Sequence, residues 1–582
     1  MAKGGDVGAD YPGGPLNQVP RYESIGDMLE ASARRWGGKV FMRQPDGAEV
    51  SFEGLRDRVE AAARGLLALQ DRPVVGVLGD NGIDWATAFL AALRCGGVAV
   101  PVDRELPMAE VHTILHYAGA NVLVYASRFA EDVEERIRPH ADCIEPVVMD
   151  GSGGGVRTLD DLTGEDGRLP APAETDTDAP AVISYTSGTM GRAKGVVLSQ
   201  RNLLSDLRGM LQAVGLRHDE VFLSVLPSHH MYECVCGFLC PLSHGCTVVV
   251  SRGLRHIAED LSEARATLML GVPLLWESMY RRIMDSISSA PLGGLKLQAG
   301  KAAARAGELL GLSGARRRVF GQLHRRLGGQ MRFLISGGAG IDPEVVRGFG
   351  ELGMELLQGY GLTECSPIVA VNRDTANRLG SVGPPLPEMD VRIDAPDGEG
   401  VGEIVVRGPN VMLGYHDRPD LTSEVLSDDG WFRTGDFGRL DADGFLWVTG
   451  RRKNVIVAKN GKNVYPEELE HLLNRSRLVA ESMVLGRSSE PKGEVIWAIV
   501  VPDTDRMIEI AEERGQSLSE EMAADLLRRH LARLNRSQPP YRRIARFIIR
   551  TEELPKTTTR KIRRHEVMRE SGLLEPERAY RV

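Results

Sequence analysis

The chain has 582 residues, 42% of them hydrophobic and 26% charged, with a formal charge of −9. That length exceeds one ordinary domain and can bury several cores, and the apolar and charged fractions exclude a disordered or fibrous protein. The acidic balance excludes a surface built as a whole for nucleic acid, and no apolar run approaches the roughly 20 residues that a membrane-spanning helix needs.

In chain order, Met1–Asp10 holds no apolar core and predicts no signal peptide. Val74–Leu78 is a short apolar run, after which Asp80-Asn81-Gly82 turns into an amphipathic stretch, Ile83–Leu93. Cys95-Gly96-Gly97 stops that stretch before a second apolar run, Val98–Val102. Turn residues stand where a helix must start and stop, which predicts a β–α–β unit. Similar runs near Asn121–Tyr125, Val221–Val225, Thr247–Val250 and Arg332–Ile335 predict an α/β fold with largely parallel sheets. Residues 151–180, rich in Gly, Asp, Pro and Thr, read as a polar surface connection. Residues 385–450 carry closely spaced turns and runs such as Glu403–Arg407 and Phe445–Val448, the pattern of antiparallel strands. Beyond Arg451 the pattern changes again, and Tyr465-Pro466-Glu467-Glu468 opens a helix with proline at its first position and acids in its first turn. These breaks divide the chain into an N-terminal part, 1–450, a junction, 451–453, and a smaller α+β C-terminal part, 454–582.

Two features admit a bland and a sharp reading. The chain has seven cysteines, an odd number without a secretion signal, which predicts free thiols in a reducing compartment. Cys234, Cys236, Cys240 and Cys246 cluster, but at no common zinc spacing, and the apolar residues between them predict small core side chains on a buried helix. Residues 281–332 hold eleven Lys/Arg against two acids, including Arg281-Arg282, Arg316-Arg317-Arg318 and Arg325-Arg326. Such a run is usually a solvated helical face; the sharper reading is a patch for an anionic lipid surface or an anionic substrate tail.

Residues 183–202 are the most informative stretch. Gly188, Gly191 and Gly195 alternate with Thr186, Ser187 and Thr189, with Lys194 among them. Glycines let backbone N–H groups turn toward one point, hydroxyls add donors, and the lysine adds charge, which suits a polyphosphate. The Gly-Lys-Ser/Thr ending of the Walker loop is absent. A flexible linker would not carry a β-run before it and Gly-Val-Val-Leu after it, so the stretch predicts ATP binding.

Four further segments follow: Gln358-Gly359-Tyr360-Gly361-Leu362-Thr363-Glu364, Gly430-Trp431-Phe432-Arg433-Thr434-Gly435-Asp436, Thr449-Gly450-Arg451-Arg452-Lys453-Asn454 and Leu554–Ile562. Alone, Asp436 suits a turn cap and Lys561 a solvated basic tail. In this order, together with 183–202, the set resembles the adenylate-forming superfamily of acyl-CoA synthetases, adenylation domains and luciferases. The resemblance runs from about residue 25 to about 570 and is nearest to bacterial long-chain fatty acid–CoA ligases.

The resemblance implies a two-step reaction. A carboxylate cannot acylate a thiol directly, because its oxygen is too poor a leaving group. Attack on the α-phosphate of ATP gives an acyl-adenylate and pyrophosphate, and a thiol then displaces AMP. Both steps build negative charge that fixed positive groups must meet. By resemblance, Thr186, Ser187, Gly188, Thr189, Gly191 and Lys194 cradle the β- and γ-phosphates. Glu364, with Thr186, holds Mg²⁺, for which oxygen ligands are suited. Thr363 touches the α-phosphate, and Tyr360, within Gln358–Gly361, stacks on adenine beside Gly337-Gly338-Ala339. Asp436 accepts from both ribose hydroxyls, with Arg451 nearby. Lys561 bridges the carboxylate and the α-phosphate, a role that suits a compact ammonium on a flexible stem. The C-terminal domain is expected to swing about Lys453. One pose inserts Lys561, and the other brings Lys459-Asn460-Gly461-Lys462-Asn463 to the thiol acceptor.

Leu226–Glu233 resembles the segment of long-chain acyl-CoA synthetases in which the position of His230 lies at the carboxylate and gates the acyl tunnel; the alternative is a satisfied core histidine. Amino-acid-activating relatives carry an aspartate where Met231 stands, which disfavours an amino acid. The stretch from Trp276 to Arg332 also resembles the long-chain branch. Departures are Arg560 for a frequent glycine, Gln200 for a histidine, Met190 for a threonine and Val457 for a lysine, the last with Lys459 as a substitute. The expectation is an AMP-forming, Mg²⁺-dependent ligase that joins medium- to long-chain fatty acids to CoA. It is placed in the cytoplasm or peripherally at the inner face of a membrane, with no nucleic-acid partner and with a homodimer open. A carrier-protein phosphopantetheine as acceptor, an aryl acid as substrate and a non-catalytic acyl or nucleotide sensor stand as alternatives. Intact Glu364, Asp436, Arg451 and Lys561 argue against the sensor.

Overall fold

The computed structural model describes residues 11–140, 144–151, 155–164, 169–171, 174–186, 194–458, 460–488, 494–557, 561–570 and 579–582. The chain forms two compact units, the first comprising Met1–Val391, Val406–Phe432 and Ala442–Leu446. Its strands in chain order are β1 (Val40–Arg43), β2 (Glu49–Ser51), β3 (Val74–Leu78), β4 (Val98–Pro101), β5 (Val122–Tyr125), β6 (Glu145–Val148) and β7 (Pro180–Thr186). They continue as β8 (Lys194–Ser199), β9 (Val221–Ser224), β10 (Thr247–Val250), β11 (Leu268–Gly271), β12 (Phe333–Ser336), β13 (Glu355–Gly361) and β14 (Ile368–Val371).

Two sheets result. One runs in the order Gly414–Tyr415, β8, β7, β4, β3, β5, β6, with β7 through β6 parallel and β8 antiparallel to β7. The other runs β14-β13-β12-β11-β9-β10-β1-β2, parallel from β13 to β1 and antiparallel only at its edges. Strands such as Val122–Tyr125 and Leu268–Gly271 are buried along their whole length, which explains their unbroken apolar sequence. The β–α–β unit is as the sequence predicts: β3, a helix over Ile83–Arg94, then β4. At Gly97 a Cβ would stand 2.4 Å from the Pro73 carbonyl oxygen, so only glycine fits where the chain turns back into the sheet. Gln200 is buried, and both ends of its amide are used: Oε1 accepts from Ile25 N (2.9 Å) and Nε2 donates to Leu93 O (2.9 Å). This departure from the family pattern is therefore structural.

The second unit comprises Arg392–Val405, Arg433–Asp441 and Trp447–Val582. Strands Asp390–Asp394, Gly402–Arg407, Phe432–Leu440 and Leu446–Arg451 make one four-stranded sheet. Val479–Ser488, Glu494–Pro502, Arg546–Ile549 and Tyr580–Arg581 make another. Leu469, Leu473, Leu527, Leu531 and Phe547 are in its core, supplied partly by the helices Pro466–Asn474 and Glu520–Arg536. The predicted helix start at Pro466 is observed, with Glu467 and Glu468 in its first turn.

Tyr232–Leu239, expected as an ordinary buried helix, winds as a π-helix, in which Cys240 N donates to Val235 O five residues back. Cys234, Cys236, Cys240 and Cys246 are buried free thiols, and no metal-binding cluster is present among the described residues. Among those residues no helix is long and apolar enough to cross a membrane.

Candidate active site

In the first unit, the predicted segments follow the carboxyl ends of neighbouring parallel strands, where open α/β sheets bind ligands. Leu226–His230 comes after β9, Gly337–Ala339 directly after β12, and Gln358–Gly361 completes β13. Gly337 N donates to Gly271 O at the end of β11 (3.1 Å), and a Cβ on Gly337 would lie 2.8 Å from the ring of Tyr232. Gly338 has φ +85°, and Gly338 and Ala339 are exposed. Gln358 is buried, and its carbonyl accepts from Asn372 N at 2.9 Å. Gly359 and Tyr360 pair with Val371 and Ala370 of β14. A Cβ on Gly361 would fall 1.9 Å from the Pro367 carbonyl oxygen, so the turn into Thr363 requires glycine.

The phosphate-loop segment is carried by a β-hairpin, with Thr186 opposite Lys194 in the β7–β8 register. Ser187, Gly188, Thr189 and Gly191 lie outside the described residues, as do Met190, Lys459 and Arg560. Lys194 Nζ stands 4.8 Å from the centroid of the Tyr415 ring, within cation–π range. The Tyr415 hydroxyl donates to Glu364 Oε1 at 2.9 Å. Burial, and then the Glu364 charge, raise the Tyr415 pKa, so its proton stays in place as a permanent donor to the carboxylate. Sequence reading missed Tyr415. It reaches the site only because Gly414–Tyr415 pairs with β8, Tyr415 facing Val196.

Glu364 sits in a single turn, Thr363–Cys365, clamped from behind. Met412 N donates to Glu364 O (2.8 Å), and Asn410 Nδ2 lies 3.0 Å from Cys365 O, 2.8 Å from Ile368 O and 3.1 Å from Asp206 Oδ1. Asp206 Oδ1 also accepts from Ile368 N at 3.0 Å. Asp206 and Asn410 are buried, and burial raises the Asp206 carboxyl pKa against the two hydrogen bonds that its Oδ1 accepts. Neither residue carried a local sequence signal.

The two histidines differ in burial. His229 is buried with Nε2 3.5 Å from Asp103 Oδ2, whereas His230 is half-buried beside it, ring centroids 4.3 Å apart. Asn81 holds the turn: its Oδ1 accepts from Ser228 N (2.8 Å), and its Nδ2 donates to Leu226 O (2.7 Å) and Ser224 Oγ (3.1 Å). Ser224 Oγ in turn donates to Glu233 Oε1 at 2.5 Å. Glu233 is buried against Gly237, where any Cβ would strike its carboxyl, and burial pushes its pKa up to about 8.

In the second unit, Asp436 is buried, with Arg451 Nε 3.3 Å from its Oδ1, and Arg451 is half exposed. A turn at Gly435 (φ +71°) sets Asp436, whose amide N donates to Thr434 Oγ1 at 3.1 Å. Lys453 is exposed on the single turn Arg452–Asn454, next to Asn454, whose Nδ2 donates to Glu467 Oε1 at 2.7 Å. Gly461 and Asn463 lie on a small hairpin in which Asn463 pairs with Val457. Lys561 is exposed, and Thr557 N donates to its carbonyl at 2.8 Å. Its basic neighbours are anchors: Lys556 pairs with Glu481, and Arg564 meets both oxygens of Glu470 at 2.5 Å. Within one unit the fold thus joins Lys194, Tyr415 and Glu364, and within the other it pairs Asp436 with Arg451.

The chain is similar to known proteins along most of its length. The AMP-binding enzyme family matches residues 29–416, and the AMP-binding enzyme C-terminal domain matches residues 468–561. An indoleacetate–CoA ligase of Aromatoleum aromaticum is 31% identical, covering 93% of this chain and 97% of its own. A long-chain-fatty-acid–CoA ligase of Mycobacterium bovis is 31% identical over 78% of this chain and 79% of its own. Among solved structures, ATP-bound MatB from Rhodopseudomonas palustris superposes with a TM-score of 0.75 at 25% identity, covering 94% of this chain and 98% of that one.

Proposed function

Because the chain belongs to the AMP-binding enzymes, within the adenylate-forming acyl-CoA ligases, we propose that it activates a medium- to long-chain fatty acid with ATP and passes the acyl group to CoA. The reaction class rests above all on Glu364, a carboxylate oriented by the Tyr415 hydroxyl beside Lys194 at the mouth of the β7–β8 hairpin. Lys194 and the backbone of the hairpin loop would bind the β- and γ-phosphates. Glu364 and Thr186 present a carboxylate and a hydroxyl, the oxygen donors that Mg²⁺ takes, and they would hold that ion, which supplies charge to the phosphates. Thr363 would meet the α-phosphate, Tyr360 and Gly337–Ala339 would flank the adenine, and Asp436, steadied by Arg451, would accept from the ribose hydroxyls.

Lys561 would join the attacking carboxylate to the α-phosphate and offset the charge that builds there. His230 would lie at the substrate carboxylate. The hairpin carrying Gly461 and Asn463 would serve the thiol step after a swing of the C-terminal domain, 454–582, about Lys453 in the 451–453 junction. Support for a fatty acid comes from the long-chain relative, the Leu226–Glu233 segment and Met231 in place of an amine-binding acid. The basic stretch 281–332 would suit peripheral contact with the inner face of a membrane from a cytoplasmic position.

A second reading, an aryl-acid substrate, is favoured by the indoleacetate–CoA ligase that matches along nearly the whole chain. AMP release with ATP, Mg²⁺ and acids from acetate through oleate to indoleacetate, each with and without CoA, separates the two. A CoA thioester peaking at a C12–C18 acid supports the proposal; a peak at the aryl acid overturns it in favour of the second reading. Adenylate accumulating without CoA turnover assigns the acceptor to a carrier protein.

A further inference from the structure

The helix Gly293–Leu309 has two faces. Inward, Leu297, Ala304 and Gly307 are buried, and Gly307 is so close to the following turn that a Cβ would meet Ala315 Cβ at 2.8 Å. On the opposite side, at helical spacing, Leu295, Ala299, Ala302, Ala306 and Leu309 form a stripe without a charge, and all are exposed. Leu295 is 70% exposed and Leu309 89%; Leu292 (68%) extends the stripe at one end, Leu310 (79%) and Leu312 (50%) at the other. Single exposed leucines are ordinary, but an outward apolar stripe ~25 Å long is not.

The cations around it fall into two sets. Lys301 and Arg305 pair with Glu351 at 2.7 and 3.0 Å, Arg316 pairs with Glu308 at 2.8 Å, and Arg317 donates to Met331 O at 2.9 Å. These hold the helix on the unit. Arg282, Lys296, Arg318, Arg325 and Arg326 are exposed, and none pairs with a carboxylate among the described residues. The predicted basic patch is therefore smaller than the sequence run; of it, Lys296 lies on the stripe's own helix and Arg318 on Ala315–Val319, which packs against that helix at Gly300 and Gly307.

We propose that this face docks on an anionic bilayer, with the leucines of Gly293–Leu309 and its ends at the acyl boundary and the outer cations among the lipid phosphates. An apolar face bordered by Lys and Arg is the chemistry of interfacial helices. A second copy of the chain is a poor occupant, since a twofold interface would set this basic patch against itself. The proposal deepens the membrane reading above and does not depend on which acid is activated.

The full chain tests it by co-flotation with phosphatidylcholine vesicles, with and without about one-third phosphatidylglycerol, at about 0.1 and 0.5 M salt. Expected is binding to the anionic vesicles that falls roughly tenfold or more in Leu309→Gln/Leu310→Gln. Lys296→Gln/Arg318→Gln and high salt should weaken it similarly, while turnover of a water-soluble acid is unchanged. Binding equal on neutral vesicles, or unchanged by the leucine variant, overturns the proposal. So does a wild-type dimer that the leucine variant breaks while vesicles capture neither. A wrong ligase reading would show as no turnover in any variant and would leave the vesicle result untouched.

Discussion

Replacing Glu233 with glutamine should abolish a pH dependence of stability that the natural residue imposes. The folded protein holds the Glu233 proton up to about pH 8, whereas an unfolded chain releases it near 4.5, the ordinary value of a glutamate. Between those values the folded state binds the extra proton, so this contribution is complete below pH 4.5 and is lost as pH rises through 8. Each pH unit in the interval is worth about 1.4 kcal/mol, so from pH 5 to pH 7 the wild type should lose ~2–3 kcal/mol that Glu233→Gln keeps. Glutamine retains the shape and the oxygen that accepts from Ser224, so the difference isolates the titration. The assay is urea unfolding of both proteins at half-unit steps from pH 5.5 to 8.5, followed by a probe in the first unit. A difference between the two that stays constant within about 0.5 kcal/mol across that range would refute a neutral Glu233. The same titration should show in turnover only if ionisation disturbs the Leu226–Met231 turn that Ser224 and Asn81 share with Glu233.

Lys561→Ala should slow ATP–pyrophosphate exchange ~10²–10³-fold and leave the unfolding midpoint in place, because its anchors are Lys556 and Arg564; exchange at the wild-type rate would remove its assigned role. Tyr415→Phe takes a hydrogen bond from a charged carboxylate, worth ~1.5–3 kcal/mol, and should lower adenylation ~10–100-fold. An equal rate at every Mg²⁺ concentration would show that the hydroxyl does not orient Glu364. Lys453→Pro should slow one half-reaction and spare the other in single-turnover measurements; both at wild-type rate would exclude a hinge there.

The parts of the site that the sequence displays are those built from neighbours in the chain. The β3–helix–β4 unit announces itself through apolar runs bounded by Asn81-Gly82 and Gly96-Gly97, and Thr186, Lys194, Gly361 and Asp436 all sit in short segments whose glycines have local reasons. Tyr415, Asn410 and Asp206 are different. Tyr415 reaches Glu364, and Asn410 and Asp206 reach Cys365 and Ile368 beside it, across more than forty residues of chain, by strand pairing or a buried hydrogen bond, and no periodicity encodes that. The basic run misleads for a related reason: Arg316 and Arg317 look like Arg318 in sequence, yet they are spent on Glu308 and on backbone carbonyls. The π-helical winding at Tyr232–Leu239 likewise depends on the surrounding packing, with Gly237 leaving room for the Glu233 carboxyl.

The hairpin setting of the phosphate loop has an electrical consequence. β8 runs from Lys194 to Ser199 before the helix Gln200–Ala213 begins, which puts that helix's N-terminus ~17 Å along the strand from Lys194. A partial charge at that distance lies about two screening lengths away at physiological salt. Unlike nucleotide sites built on a helix start, a triphosphate held at Lys194 would gain little from the dipole of that helix. On the proposed reading its grip on a triphosphate would come from Lys194, the loop's own backbone and the Mg²⁺ that Glu364 and Thr186 would hold, so nucleotide affinity would follow the free Mg²⁺ concentration.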